Sequence, residues 1–273
     1  MATNFQAETS PRVLPTEVVW DLLRRYNGTF AVAPLSYGTV RDYCDSIDHV
    51  PVLSTRQKDL KDLQRPWVVK AILGLCPPGS KLLEIGAGEP LAAQILLELG
   101  YKVVVVDPYD GSGRGPVEYD LYRTQYPAVE LHRALFTPDL PGLERASFDC
   151  IFSISVLEHI HEPTLGLVFQ GIHTFLKPDG LSLHAIDHVL TGRDRAFHRQ
   201  QLISILSHQS ELHGDPPQTL LSEYADLLEG IQSDEDLYLL SAESHNLWRG
   251  AVAYDEFPYR KVISVHSCKT LRR

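Results

Sequence analysis

The sequence has no long hydrophobic run, only four cysteines and fewer basic than acidic residues. Its longest apolar runs are short and interrupted, for example residues 103–106. We therefore expect no helix that crosses a membrane. Residues 1–15 lack the apolar segment of a secretory signal. The cysteines have no paired spacing, which argues against a disulfide framework and against a zinc site. We therefore expect a cytoplasmic protein with reduced thiols and no membrane partner.

Acidic residues number 35 and lysine plus arginine 25, so the formal net charge at pH 7 is -10. A field of this sign repels the phosphates of DNA and RNA, and no nucleic-acid partner is expected. The chain has 273 residues, of which 44% are hydrophobic and 22% charged. These values are typical of a globular protein with a full core, and one large domain with an insertion is favoured over two domains.

Short apolar runs alternate with amphipathic helical patterns between residues 81 and 186. Such alternation predicts βαβ units, and therefore an α/β fold with a doubly wound, mostly parallel sheet covered on both faces. Strands are predicted at residues 81–85, 102–106, 129–135, 148–154, 181–186 and 260–268. Helices are predicted at residues 16–26, 56–75, 90–99 and 163–176, whereas residues 29–54 have no clear period.

These patterns divide the chain into four segments. Residues 190–247 interrupt the strand–helix rhythm with a polar helical pattern, which is interpreted as a lid inserted after the fifth predicted strand. The predicted segments are an N-terminal helical cap at 1–64, an α/β core at 65–189, the helical lid at 190–247 and a closing strand region at 248–273.

The most informative stretch is LLEIGAG at residues 82–88. An apolar strand pattern, interrupted by Glu84, turns through Gly86 and Gly88 and leads directly into a helical pattern. Glycine permits a positive φ and lets a ligand approach the backbone. The first turn of the following helix presents N–H groups without an intrahelical partner. The stretch therefore predicts a nucleotide-binding turn.

The residues around this turn decide between two nucleotide classes. A dinucleotide site requires a small residue three positions after the second glycine, where this chain has Leu91, and Glu89 would repel a pyrophosphate. Glu84 suits a ligand with a cationic end, and Asp107, after the next predicted strand, suits a ribose diol. This pair of acids favours S-adenosylmethionine (SAM) over NAD.

Several short motifs follow one another along the chain, namely LEIGAG at 83–88, VD at 106–107, FDCI at 148–151, SVLEH at 155–159 and LKPDG at 176–180. They occur in the order seen in class I SAM-dependent methyltransferases. The chain resembles this family over residues 65–190, most of all the broad small-molecule group that includes quinone-biosynthesis enzymes. The resemblance implies a Rossmann-like fold with a seven-stranded sheet, and SAM as cofactor.

The resemblance also implies which residues contact SAM. One departure concerns adenine, because the family often has an acid after the third strand, where this chain reads ALF at 134–136. Backbone N–H groups and apolar side chains are therefore expected around the adenine. The implied cofactor site comprises Glu84, Gly86, Ala87, Gly88, Asp107, Pro108, Leu135 and Ser155.

Methyl transfer requires an aligned acceptor and exclusion of water, and it requires a base when the acceptor is a hydroxyl or a protonated amine. Histidine is a natural base near neutral pH, and ligands bind at the carboxyl ends of parallel strands. We expect His188 to be the base, with Asp187 orienting its ring or holding substrate, and His159 as second choice. The competing interpretation is that either histidine is only hydrogen-bonded in a rim loop. His184 lies about 13 Å from His188 along a strand, too far to share an ion, so no metal is expected.

A basic run at residues 193–199 follows the last core strand. It either binds a carboxylate or phosphate of the substrate or forms the solvated start of a helix. A lid favours a small, enclosed acceptor as partner. We therefore expect SAM-dependent methyl transfer to a small polar molecule, at a hydroxyl. The alternatives are N- or C-methylation of a small molecule, an NAD(P)-dependent oxidoreductase and a non-catalytic SAM-binding subunit.

A thermal-shift comparison separates the two cofactor classes. S-adenosylhomocysteine (SAH), the demethylated product of SAM, should raise the melting temperature because it binds only the folded chain, and NAD should not. A shift with NAD alone would contradict the SAM assignment.

Overall fold

The computed structural model describes residues 14–54, 59–112 and 115–272. Its helices are α1 (Thr16–Tyr26), α2 (Val40–His49), α3 (Lys61–Leu75), α4 (Leu91–Glu98), α5 (Tyr119–Gln125), α6 (Thr164–Phe175), α7 (Arg195–His213), α8 (Pro217–Ser233) and α9 (Ala242–Arg249). Its strands are β1 (Leu35–Tyr37), β2 (Lys81–Ile85), β3 (Lys102–Asp107), β4 (Glu130–Arg133), β5 (Phe148–Ile154), β6 (Leu176–Thr191) and β7 (Lys261–Thr270).

The strands form one sheet in the order β1-β7-β6-β5-β2-β3-β4. Four pairs are parallel, namely β2 with β3, β2 with β5, β3 with β4, and β5 with β6. β7 runs antiparallel to both of its neighbours, β6 and β1. The predicted α/β fold with a mostly parallel seven-stranded sheet is confirmed. We call the edge where β2, β3, β5 and β6 end the carboxyl edge.

Helices cover both faces of the sheet, which explains why its central strands are apolar on both sides. Leu82 is fully buried in a core that includes residues of α1, α3 and α4. The next residue, Leu83, is fully buried on the opposite face, in a core that includes residues of α6, α7 and α8. We call these the α3 face and the α7 face.

The structure contains three elements in residues 29–54 that the sequence did not predict, the short edge strand β1, helix α2 and the 3-10 turn Pro51–Leu53. The start of α2 has a capping box, in which the Thr39 side chain accepts from the Asp42 N–H and the Asp42 carboxylate accepts from the Thr39 N–H. This motif is a local signal for a helix start. α5 was also not predicted. The predicted helix at 56–75 corresponds to α3, and residues 55–58 lie outside the described residues.

The segment between β6 and β7 is helical, as expected for residues 190–247. α7 packs on β6 and β7, and its Leu202, Ile205 and Leu206 belong to the core of the α7 face. α8 packs on α7 and on β1. α7 is therefore a covering layer of the sheet, and a lid role for the segment stays a prediction. Among the described helices, none is long and apolar enough to cross a membrane.

Candidate active site

The glycine turn lies at the carboxyl edge, between β2 and α4. Gly86 and Gly88 have φ angles of +68° and +58°, a backbone region that L side chains rarely adopt. A Cβ on Gly86 would lie 2.7 Å from Cγ1 of Val156, whereas a Cβ on Gly88 would lie no closer than 3.5 Å to Pro116. Gly86 therefore has two requirements, a left-handed backbone and direct contact with the segment that follows β5.

Asp107 connects the glycine turn to the loop after β3. Its carboxylate is buried, and it accepts hydrogen bonds from Gly88 N–H at 3.0 Å and from Tyr109 N–H at 2.8 Å. The Tyr109 hydroxyl donates back to the Gly88 carbonyl at 3.0 Å. Pro108, between Asp107 and Tyr109 in the sequence, is partly buried. Asp107 therefore fixes the glycine turn against the loop after β3.

Glu84 lies one residue before the end of β2 and is 2% exposed. Its Oε2 is buried with no hydrogen-bond partner in the part of the chain that the structure describes. Burial raises the pKa of Glu84 to about 8, against the opposing charges of Arg65 and Lys61 on α3. A buried acid with an unpartnered oxygen is stabilised by a cation, because the cation compensates the lost hydration of the carboxylate.

Asp187 is at the centre of a polar cluster that joins the ends of β5 and β6 to α3. Its Oδ1 accepts from Nε2 of the fully buried Gln64 at 2.8 Å. The Ser155 hydroxyl lies 2.7 Å from Gln64 Oε1 and 3.1 Å from Asp187 Oδ1, so its single proton reaches one of them at a time. Of the described residues, none donates to Asp187 Oδ2. Oδ2 of Asp187 can therefore still accept a hydrogen bond or a proton.

A second buried carboxyl group, that of Glu158, lies beside Asp187. Glu158 is buried, and its Oε1 accepts from the Asp187 N–H at 2.9 Å. Burial is the main cause that raises the pKa of Asp187, to about 6, and Asp59 adds to it. Burial and the charge of Asp187 raise the pKa of Glu158 well above its usual value. Sequence reasoning missed Gln64 and Glu158 as site residues, although Glu158 lies within the quoted SVLEH motif.

His188 and Asp187 point to opposite faces of the sheet, because successive side chains of a strand alternate. Asp187 contacts Gln64 on the α3 face, whereas His188 lines a cavity beneath α7 and α8. The expectation that Asp187 orients the His188 ring is therefore wrong. Burial, with His198 and Arg195, lowers the pKa of His188 to about 4, so its ring is neutral at pH 7.

The other histidines considered from the sequence, and Leu135, differ in their exposure. His159 is exposed on the 3-10 turn Leu157–His159 that follows β5. Leu135, after β4, is 47% exposed. His184 is fully buried between the hydroxyls of Ser153 and Ser182, each 2.8 Å from a ring nitrogen, and is a core residue. In the described ranges, no group of three or more His, Cys, Asp or Glu side chains is arranged to hold a metal ion.

A glycine turn between a parallel strand and a helix, with acids at the ends of β2 and β3, defines a nucleotide site of the methyltransferase type. The chain belongs to the family described as "Methyltransferase domain", whose model matches residues 56–221. The chain is a SAM-dependent methyltransferase, as the resemblance implied, and SAM is its methyl donor.

Solved structures with a similar fold are distant in sequence. Phosphoethanolamine N-methyltransferase 2 from Haemonchus contortus is 15% identical, with a TM-score of 0.43, over 86% of this chain and 60% of that chain. The 1,6-didemethyltoxoflavin-N1-methyltransferase from Burkholderia thailandensis is 15% identical, with a TM-score of 0.43, over 90% and 93%. A TehB-like SAM-dependent methyltransferase from Corynebacterium glutamicum is 16% identical, with a TM-score of 0.40, over 84% and 98%. No curated protein matches the sequence.

The contact of Gly86 with Val156 gives a prediction with a matched control. Gly28 has the same φ of +68°, but a Cβ there would have no atom within 4 Å. Gly28→Ala should cost about 1 kcal/mol of unfolding free energy for the left-handed backbone alone. Gly86→Ala should cost about 1–3 kcal/mol more, because the new methyl group overpacks against Val156. Urea denaturation measures both.

The double variant Gly86→Ala/Val156→Ala should recover most of the excess, since it removes the contacting side chain. Equal losses for Gly28→Ala and Gly86→Ala would contradict the described packing of the turn.

Proposed function

We propose that this enzyme transfers the methyl group of SAM to a hydroxyl group of a small molecule, and that Asp187 takes up the hydroxyl proton. The observation that carries the proposal is the Asp187 carboxylate at the carboxyl edge. Its Oδ1 is fixed by Gln64 and Ser155, and its pKa is raised to about 6. A base whose pKa is near the working pH is effective in proton transfer.

In this proposal the glycine turn would hold SAM. The backbone of Gly86, Ala87 and Gly88 lines its path, and Glu84 receives the amino group of its methionine part. Arg65 and Lys61 lie close enough to influence the pKa of Glu84, and they suit the methionine carboxylate. The other cofactor residues are Asp107 for the ribose hydroxyls, Pro108 and Leu135 for the adenine, and Ser155 beside the methyl group.

The chemical step is an in-line displacement. The acceptor oxygen forms a bond to the methyl carbon, the carbon–sulfur bond breaks, and its electron pair remains on sulfur in SAH. The hydroxyl proton passes to Oδ2 of Asp187. The protein contributes alignment and exclusion of water. We assign the proton to Asp187 and not to His188, because His188 faces away from the Asp187 cluster and its pKa is about 4.

The charge around Asp187 also supports a second candidate. The charge of Asp59 raises the pKa of Asp187, and the charge of Asp187 raises the pKa of Glu158, so three carboxyl groups share this region. Such a region attracts an ammonium group, and N-methylation of a small amine is therefore the runner-up. The negative net charge argues against nucleic acid as the acceptor, and the free cysteines of the described chain support a cytoplasmic location.

Binding of SAH should release a proton at pH 7. With its pKa at about 8, Glu84 is about 90% protonated at pH 7 before binding, and the SAH ammonium then favours the carboxylate. SAH affinity should therefore rise with pH up to about 8 and level off above it. Calorimetry in buffers of different ionisation enthalpy counts the protons. Glu84→Gln should abolish the release, and wild-type protein without any release would contradict the ammonium site.

Asp187→Asn should lower turnover by roughly 100-fold or more, because the amide takes up no proton, and it should leave SAH affinity within about twofold. Radiolabelled SAM with a panel of small phenols, alcohols and amines measures the turnover, and mass spectrometry identifies the methylated atom. Asp179→Asn, an exposed position near the other end of β6, serves as the control.

Unchanged turnover in Asp187→Asn would contradict the base role. Methylation of amines but not of hydroxyl groups would favour N-methylation over the proposed O-methylation. Tight SAH binding without turnover on any acceptor would favour a non-catalytic subunit.

A further inference from the structure

A cavity of about 410 Å³ lies on the α7 face, on the other side of β6 from the Asp187 cluster. The end of β6 forms one wall, and α7, α8 and the residues before α9 form the others. Its volume is within the range of small-molecule sites in proteins. None of the residues that hold the glycine turn lines it.

The inner wall of the cavity is aliphatic. Leu228 and Ile231 of α8 line it together with Leu237 and Leu239, and Tyr224 adds an aromatic ring. Ile231 and Tyr224 are buried and the three leucines partly buried. A ligand that fills this wall has an apolar body.

The mouth of the cavity is cationic, although the whole chain is acidic. Arg195 and Arg199 are one turn apart on α7 and share a helix face, and Lys261 is paired with Thr191 across β6 and β7. No described carboxylate lines the cavity, and none forms an ion pair with these three residues. Three unneutralised cations around one apolar cavity favour an anionic ligand.

Thr191, Gln232 and His188 are uncharged polar residues of the cavity wall at pH 7, and of these His188 is buried. It is 4% exposed, it lines the cavity, and its Nδ1 is buried with no hydrogen-bond partner among the described residues. A buried polar atom without a partner costs free energy, which a hydrogen bond from a ligand removes. This is an observation independent of the charges at the mouth.

We infer that the cavity is a binding site for a small amphipathic anion, with its apolar body against the α8 side chains, its carboxylate or phosphate at Arg195, Arg199 and Lys261, and a polar atom at His188. The site does not depend on the assignment of Asp187. The same ligand chemistry has two sources, the methyl acceptor itself or a separate effector, and the experiment distinguishes them.

The probes are octanoate, octanamide and octylamine, which have the same number of carbon atoms in an unbranched chain and differ in charge. Calorimetry on the full chain, with and without SAH, should give octanoate an affinity at least about tenfold higher than octanamide and octylamine, because charge-assisted hydrogen bonds form only with the anion. The double variant Arg195→Gln/Arg199→Gln should remove this preference and leave the affinity for octanamide unchanged. Arg193→Gln, on the same segment but outside the cavity wall, is the matched control.

Equal binding of octanoate and octanamide, no binding of octanoate, or an unchanged preference in the double variant would overturn the inference. SAH binding in the same samples is the separate test of the cofactor site. If 8-hydroxyoctanoate is methylated with radiolabelled SAM and its KM rises in the double variant, the cavity holds the acceptor. If it binds with the octanoate preference but is not methylated, the cavity holds an effector.

Discussion

Parallel pairing of β2 with β3 and β5 is the constraint on which the site depends. Parallel strands end at the same edge, so Glu84, Asp107 and Ser155, which are far apart in sequence, lie at one rim of the sheet. The glycine turn contacts the segment after β5 through Gly86 and Val156. The pairing of the strands and this contact therefore hold the backbone of the site in place.

The acids of the site are held in unfavourable surroundings by this arrangement. Glu84, Glu158 and Asp187 are removed from water, and burial is the largest cause of the raised pKa at each. Such shifts are common at functional sites, because the surrounding structure keeps a carboxyl group buried that would otherwise be hydrated. Two of these groups serve different ends in our proposal, since Glu84 meets a cation and Asp187 takes a proton.

Local sequence patterns were sufficient for much of the fold. α1 and β5 begin and end where their apolar spacing predicted, because one buried face or a continuous apolar run is a local property. β1 could not be predicted in this way, because its three half-buried residues form a strand only where β7 offers an edge.

The glycine turn was recognisable from the sequence together with Glu84 and Asp107, but the surroundings of Asp187 were not. Gln64 lies on a helix that is buried on nearly all sides, so no periodicity marks its contact with Asp187. The sequence placed Asp187 and His188 at the same strand end. Which of them faces α3 depends on the register of β6 in the sheet, a property of the assembled fold.

The edge strand β1 pairs with β7 alone, and Leu35 lies opposite Ser267. The two residues are far apart in the sequence, so this pairing is a long-range contact that local structure alone does not bring together. β7 also covers the flank of β6, and His188 is paired with Ile263. Helices α7, α8 and α9 lie between β6 and β7 in the chain, so the flank of β6 at His188 has no strand partner until all three helices and β7 have been synthesised.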